Sequence, residues 1–308
     1  MKPIVALLLV FAVVPLGCCC WCYKPPAVST ATCPQDSVPV GTACVDEYEA
    51  SVWIIPNVKA NGALIKKVQQ GEATCMDLTG AANCQGASGP AQPFKPAACQ
   101  SNGQDCAGKI YAVSIEHVQP TSFISWFQAA EACANSNKRL PTNQEWQLAA
   151  DGTPNGDSDD HLTTCNTNHA GAVPTGSRTG CKSARGAYDM VGNLYEWVAD
   201  WTQQWVNNDT TNNCLSVTWD NALGSNSACT ASGTPYSCCT GSGIGNCNFS
   251  NDFMCLVGHT MGPEPGALIR GGDYSDQAGS GAGGPLSISN RYRPFDNTRG
   301  EIGFRCAR

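Results

Sequence analysis

All 20 cysteines of this 308-residue chain lie at or beyond Cys18, and none falls in the apolar run that opens it. The cytosol keeps thiols reduced. Cysteines in this number, without recurring ligand pairs, point to an oxidising compartment and a crosslinked body. A cysteine metal site needs tight pairs repeated at fixed spacing. Only Cys18-Cys19-Cys20-Trp21-Cys22 and Cys238-Cys239 are dense, and neither is followed by a matching His or Cys pair.

The N-terminus supports export. Met1-Lys2 is followed by apolar residues from Ile4 to Leu16 and then Gly17. A basic start, a short apolar core and a small residue make a secretory signal over residues 1–17. The run is shorter than the roughly 20 residues a spanning helix needs. Leu16-Gly17-Cys18 also resembles a lipoprotein cleavage site, although Pro15 stands where an aliphatic residue is preferred. The chain is therefore expected to be secreted, or held in the cell envelope through a lipid on Cys18.

Charged residues make up only 14%, where a quarter is usual, and Gly, Ser, Thr and Asn take their place. Such a chain will be loop-rich and will lean on its crosslinks. The net charge of −7 and the lack of a basic patch argue against a nucleic-acid partner.

Residues 18–35 read as a cysteine- and proline-rich tether, and residues 36–308 as the folded domain. Val38 to Ile55 is rich in Val, Tyr, Trp and Ile and predicts opening strands; Cys33 and Cys44 could pair there. Residues 56–118 carry Cys75, Cys84, Cys99 and Cys106, with a loop from Gln85 to Pro96. Two helices follow. Ser125-Trp126-Phe127-Gln128 and Thr142-Asn143-Gln144-Glu145 both have capping-box form. The first helix shows Trp126, Ala129, Ala130 and Cys133 on one face, and the second shows Trp146 with Ala149-Ala150. The tight Arg139-Leu140-Pro141 joint predicts that the helices pack on each other. Cys165 and Cys181 bracket a loop that a disulfide should close. Residues 203–260 read as a cysteine-rich insertion. Short apolar pieces follow at Leu286-Ser287-Ile288 and Ile302-Gly303-Phe304.

Four segments carry a family signature in order. They are Cys44 to Ser51, Lys138 to Trp146, Tyr188 to Val198 with Asp200-Trp201, and Arg270-Gly271-Gly272 continuing to Ile302-Gly303-Phe304-Arg305-Cys306. Together they resemble the formylglycine-generating enzyme, or sulfatase-modifying factor, family over roughly Val38 to Arg308. The resemblance implies an α+β fold, the family's variant of the C-type lectin fold, disulfide-rich and low in regular structure. Members include copper-dependent oxidases that convert a sulfatase cysteine to formylglycine. Others resemble ergothioneine-pathway sulfoxide synthases or display variable ligand-binding surfaces. Fold alone therefore leaves function open.

Asp189 and Glu196 flank Gly192-Asn193, and a turn there could aim carboxylates and carbonyls at one Ca²⁺. The alternative is that both acids cap turns and pair with arginines. By resemblance a structural calcium would take the side chains of Asp189 and Glu196 and the carbonyls of Gly192 and Leu194. A second family site would fall near Asn166-Thr167, without clear further ligands. The resemblance also implies a Cys133–Cys306 disulfide, which on a chain-entropy model contributes up to ~5 kcal/mol.

The pattern breaks at the oxidase centre. That chemistry takes two thiolates holding Cu(I), shortly after Arg270-Gly271-Gly272. The matching positions are Asp276 and about Gly281, and Asp273 replaces a serine. No cysteine lies between Arg270 and Ile302. His117, His161, His169 and His259 are too scattered to suggest an iron site. Copper is not expected. Asp273, Tyr274, Asp276, Asn290, Arg291, Tyr292 and Arg293 instead mark a candidate ligand groove, or else a set of solvated loop residues. The expectation is an exported, non-enzymatic binding or structural protein for a peptide, glycan or envelope protein. The alternative is an oxidoreductase of the same family with altered chemistry.

Overall fold

The computed structural model describes residues 32–86, 88–154, 160, 163–202, 254–255, 266–275, 288–289 and 293–308. The signal over 1–17, Cys18 and most of the tether lie outside the described residues. So do nearly all of the 203–260 insertion, His161, and Asp276, Gly281, Asn290, Arg291 and Tyr292.

The opening strands β1 (Ser37–Val40) and β2 (Ala43–Asp46) form an antiparallel hairpin. Strand β3 (Ser51–Ile54) pairs antiparallel with β4 (Gln92–Pro93) and β5 (Ile110–Val113). Side chains alternate across this sheet, as strand geometry requires. Val52, Ile110 and Ala112 face a central core. Trp53, Tyr111 and Val113 face a second cluster on the other side.

That second cluster is closed by two helices absent from the sequence-based expectation, α1 (Gly62–Gln70) and α2 (Cys75–Thr79). Ile65 and Val68 of α1 and Leu78 of α2 supply its apolar contacts. Both helices end on a left-handed glycine, Gly71 and Gly80. Thr74 and Asp77 cap α2 reciprocally. Their apolar stripes are too short to stand out from a Gly- and Pro-rich stretch.

Helices α3 (Trp126–Asn135) and α4 (Asn143–Ala149) start at Ser125 and Thr142, each with a complete capping box. They do not chiefly pack on each other, contrary to expectation. Helix α3 lies on β5 and on β6 (Tyr195–Thr202), whereas α4 lies on β1, β2 and β6. Arg139 N donates to Ala307 O (2.9 Å) and Ala307 N to Arg139 O (2.7 Å), so an isolated antiparallel bridge ties the linker to the C-terminus.

The main sheet has the order β10-β6-β8-β9-β7, with β7 (Met254–Cys255), β8 (Gly266–Arg270), β9 (Ile288–Ser289) and β10 (Ile302–Phe304). Strand β10 runs parallel to β6, and β8 antiparallel to it. Ala267 and Ile269 face the central core, and Leu268 faces the cluster around Trp146 and Met190. Both faces of β8 are covered, which is why it reads as a continuous apolar run.

Five disulfides join described residues: Cys33–Cys44, Cys75–Cys84, Cys99–Cys106, Cys133–Cys306 and Cys165–Cys181. Such a body forms outside the reducing cytosol. No described helix is long and apolar enough to cross a membrane.

Candidate functional site

The signature segments converge on a buried polar centre beneath the ends of β6, β8 and β10. Arg305 follows β10 and is fully enclosed. Its Nε donates to Glu196 Oε2 (2.8 Å) and Nη2 to Glu196 Oε1 (2.6 Å). Nη1 reaches the carbonyls of Asp46 (3.1 Å) and Glu47 (3.2 Å), and Nη2 reaches Tyr188 O (2.8 Å). All five guanidinium N–H groups thus find acceptors, which is the condition for burying the charge. Trp146 Nε1 adds a bond to Glu196 Oε2 (2.7 Å), tying α4 to the same carboxylate.

Two further acids surround this pair. Glu49 accepts from Leu194 N (3.0 Å) and from the Asn193 side chain. Burial, with Asp189 and Glu196 close by, raises its pKa well above the ordinary range. Asp189 has φ +56° and is buried. Its Oδ2 accepts from Gly176 N (2.7 Å), while its Oδ1 has no hydrogen-bond partner. Burial pushes its pKa up to about 7. Asn166 donates to Asn193 Oδ1 (2.8 Å), and its own Oδ1 is also buried without a partner. Gly192 threads between these groups at φ +73°. A Cβ there would lie 2.4 Å from Asn166 O, so only glycine fits.

The proposed quartet therefore does not fit calcium as a set. Both oxygens of Glu196 are occupied by Arg305 and Trp146, beside a full positive charge. Asp189 does retain an unsatisfied oxygen, and so does Asn166 at the second expected position. A buried oxygen without a donor is the kind of atom a hard cation satisfies. Among the described residues, no three His, Cys, Asp or Glu side chains form a metal-holding group. The two readings of Asp189 and Glu196 thus divide: Glu196 pairs with an arginine, and Asp189 is left open.

Arg270 is structural in its described contacts. It donates to Asn143 Oδ1 (2.6 Å) and to the Gln147 side chain, and its guanidinium lies 4.7 Å over Trp146. Gly271 at φ +89° lets Trp146 approach, since a Cβ would sit 3.1 Å from the indole and 3.0 Å from Met190 O. Asp273 is buried and its Oδ1 accepts from Ser275 N (2.6 Å) and Ser275 Oγ (2.7 Å), so this carboxylate closes a turn. Tyr274 is half-buried. Its amide donates to Asn193 O (3.0 Å), and its carbonyl accepts from His169 N (2.7 Å). His117 and His169 lie in separate surroundings, His117 beside Glu116 and His169 beside Arg178.

An aromatic surface went unassigned in the sequence reading. Trp126 and Trp201 meet edge to face at 5.0 Å, and Phe127 lies 5.8 Å from Trp201. The loop that carries Arg293 joins them, because Trp126 N donates to Pro294 O (2.8 Å) and Phe123 N to Arg299 O (2.9 Å). Phe123 and Phe295 are 47% and 41% exposed. Arg293 lies 5.7 Å over the Phe295 ring. The available signal was local: three aromatics fall within Phe123-Ile124-Ser125-Trp126-Phe127.

Comparison with known proteins follows the same lines. A stretch of 85 residues is 32% identical to the serine/threonine-protein kinase Pkn1 of Chlamydia trachomatis serovar L2, covering 27% of this chain and 14% of the relative. The corresponding kinase of Chlamydia pneumoniae is 33% identical over 88 residues, again 14% of its length. The chain thus spans a small part of these relatives. Among solved structures, CarF aligns over 86% of this chain and 85% of its own at 16% identity (TM-score 0.36). Treponema denticola variable protein 1 aligns over 88% and 85% at 15% (TM-score 0.35). The Major Tropism Determinant P3c variant aligns over 68% and 47% at 15% (TM-score 0.35). A profile of the sulfatase-modifying factor enzyme 1-like domain matches residues 57–308. With its α+β, disulfide-rich body, the chain belongs to the sulfatase-modifying factor enzyme 1-like domain family.

Proposed function

We propose that this chain is an exported binding protein that uses the family scaffold without its copper oxidase chemistry. The observation that carries this is a set of aromatic residues on neighbouring backbone, the exposed Phe123 and Phe295 and the half-buried Trp126, Phe127 and Trp201, with Arg293 over the Phe295 ring. Exposed rings offer flat apolar contact, and surface binding sites are rich in them. The family's thiolate positions fall on Asp276 and about Gly281, and neither residue type can hold Cu(I) as a dithiolate does. The ligand class is an extended peptide or glycan chain of the cell envelope. Phe123→Ala and Phe295→Ala, tested by titration against a panel of envelope glycans and extended peptides, should each weaken capture about tenfold, as hot-spot truncation does. Unchanged affinity in both variants would remove the aromatic surface from the proposal.

The second reading is an oxidase of altered chemistry, favoured by family membership itself. Conversion of a cysteine-containing sulfatase peptide to its aldehyde by the purified chain with Cu(I) and oxygen would establish it and overturn the first. Export through the 1–17 signal, and lipid attachment at Cys18, belong to the same proposal. The mass of the mature N-terminal peptide tests both. Calcium remains a proposal at the open oxygens of Asp189 and Asn166, in a purely structural role.

A further inference from the structure

The five described disulfides are not equally protected. Cys133–Cys306 and Cys165–Cys181 are fully buried at both ends, and Cys99–Cys106 nearly so. Cys33–Cys44 is buried at Cys44. Cys75–Cys84 alone among them has neither residue buried. It also borders a cavity of about 630 Å³, whose lining includes Cys75, Thr74, Asn83, Gln85, Glu116 and His117. Cys84 Sγ lies 3.9 Å from Glu116 O on the opposite wall. Cys84 and His117 both adopt left-handed backbone, at φ +57° and +63°. Non-glycine residues in that region are uncommon, and such conformations concentrate at binding sites.

The loop around this bond is anchored independently of it. Ser88 N (3.2 Å) and Gly89 N (3.0 Å) both donate to Thr79 O, and Ala81 N donates to Thr79 Oγ1 (3.2 Å). The Thr74–Asp77 capping box holds the start of α2. Opening the bond therefore leaves the segment attached at both ends. Thiol–disulfide exchange depends on access of a thiolate to a sulfur, and among the described bonds Cys75–Cys84 is the pair with both residues outside the core, where Cys33–Cys44 has one.

We propose that Cys75–Cys84 and its cavity form a thiol-exchange site for a hydrophilic thiol of low molecular mass. The cavity volume falls in the range of small-molecule sites, and its lining sets the amides of Asn83 and Gln85 and the Glu116 carboxylate beside apolar Ala73, Ile115 and Pro174, which suits a small thiol with polar ends. A thiolate in the cavity attacks Cys75 Sγ, the sulfur of the bond that lines it. A new S–S bond forms to Cys75, the Cys75–Cys84 bond breaks, and the electron pair leaves on Cys84, which takes a proton from water. A second thiol then attacks the mixed disulfide and releases Cys75. In sum, two thiols are oxidised to a disulfide as the protein bond is reduced to two thiols.

The test uses the full mature chain, folded, in graded reduced glutathione, with acid quench, alkylation and peptide mass spectrometry. Cys75 and Cys84 should be labelled at least about tenfold faster than the cysteines of the other four described bonds, with glutathione on Cys75 as the intermediate. Labelling of any of those four pairs at the same rate or sooner would overturn the proposal. A second arm separates recognition from mere exposure. Ala82→Trp, at an exposed position lining the cavity, should slow the reaction with glutathione and leave the reaction with mercaptoethanol unchanged. Equal effects on both thiols, or none on either, would refute the cavity as the ligand's site.

Discussion

Replacing Lys138 with Met tests the electrostatic reasoning most directly. The Lys138 side chain is fully buried, with Nζ 2.6 Å from Asp36 Oδ2 and 2.6 Å from Asp46 Oδ1. Arg308 adds a second cation to Asp36, with Nη1 2.8 Å from Oδ1. Asp46 feels Arg308 only as the smallest of its charge interactions, and its other oxygen accepts from Cys306 N at 3.2 Å. The two acids accordingly diverge. Burial raises Asp36, but Lys138 and Arg308 outweigh it and the pKa falls below the ordinary value. Complete enclosure dominates at Asp46, whose pKa rises to about 6 despite Lys138. A folded-state pKa above the unfolded value of 3.8 means that Asp46 costs stability once ionised. The cost is absent at low pH, grows as pH rises past the unfolded pKa, and levels off above about 6 at roughly 3 kcal/mol. Asp36 acts in the opposite sense: its stabilisation is lost as pH falls through its depressed pKa. Removing Lys138 leaves Asp46 buried without a cation, a change worth about 3–5 kcal/mol. At roughly 2–4 °C per kcal/mol, Tm should drop by on the order of 10 °C. The loss should be largest near pH 8 and should shrink near pH 5, where Asp46 takes up a proton. Urea unfolding midpoints at those two pH values, without reductant, measure both. A deficit under about 1 kcal/mol, or one equal at both pH values, would refute the reasoning.

Arg305→Met should cost a similar ~3–5 kcal/mol, because it strands Glu196 and three carbonyls; a Tm within about 2 °C of the parent would contradict that. Thr142→Ala should lose about 1 kcal/mol through the α4 cap, read as a lower urea midpoint with an unchanged slope. Calcium at about 100 times its Kd should add roughly 2.7 kcal/mol over a chelator-treated sample. Asp189→Asn, which tolerates the left-handed backbone, should abolish that gain. No calcium-dependent Tm shift in the parent would end the calcium proposal.

Much of the fold was legible because its signals are local. Ser125 and Thr142 each meet their capping partner three residues on, so both helix starts could be read from four letters. The Val-, Tyr-, Trp- and Ile-rich stretch from Val38 to Ile55 likewise signalled the opening strands β1 to β3, and the piece Ile302-Gly303-Phe304 became β10. The positions that the resemblance assigns to the thiolates, Asp276 and about Gly281, are not cysteine in the sequence itself. The helices α1 and α2 were not legible, since their stability comes from packing under Trp53 and Tyr111 and not from a long amphipathic stripe.

What the chain determined by itself was therefore the family and the crosslinked class of fold. The tertiary structure alone decided how the charges are used. Glu196 could have been a calcium ligand until Arg305, 109 residues away, was seen to fill both of its oxygens. Lys138 meets Asp36 across 102 residues, and Cys84 comes to face Glu116 across 32. A carboxylate or a sulfur has no chemistry until its neighbours, its burial and its access are set, and those are properties of the folded surface and core.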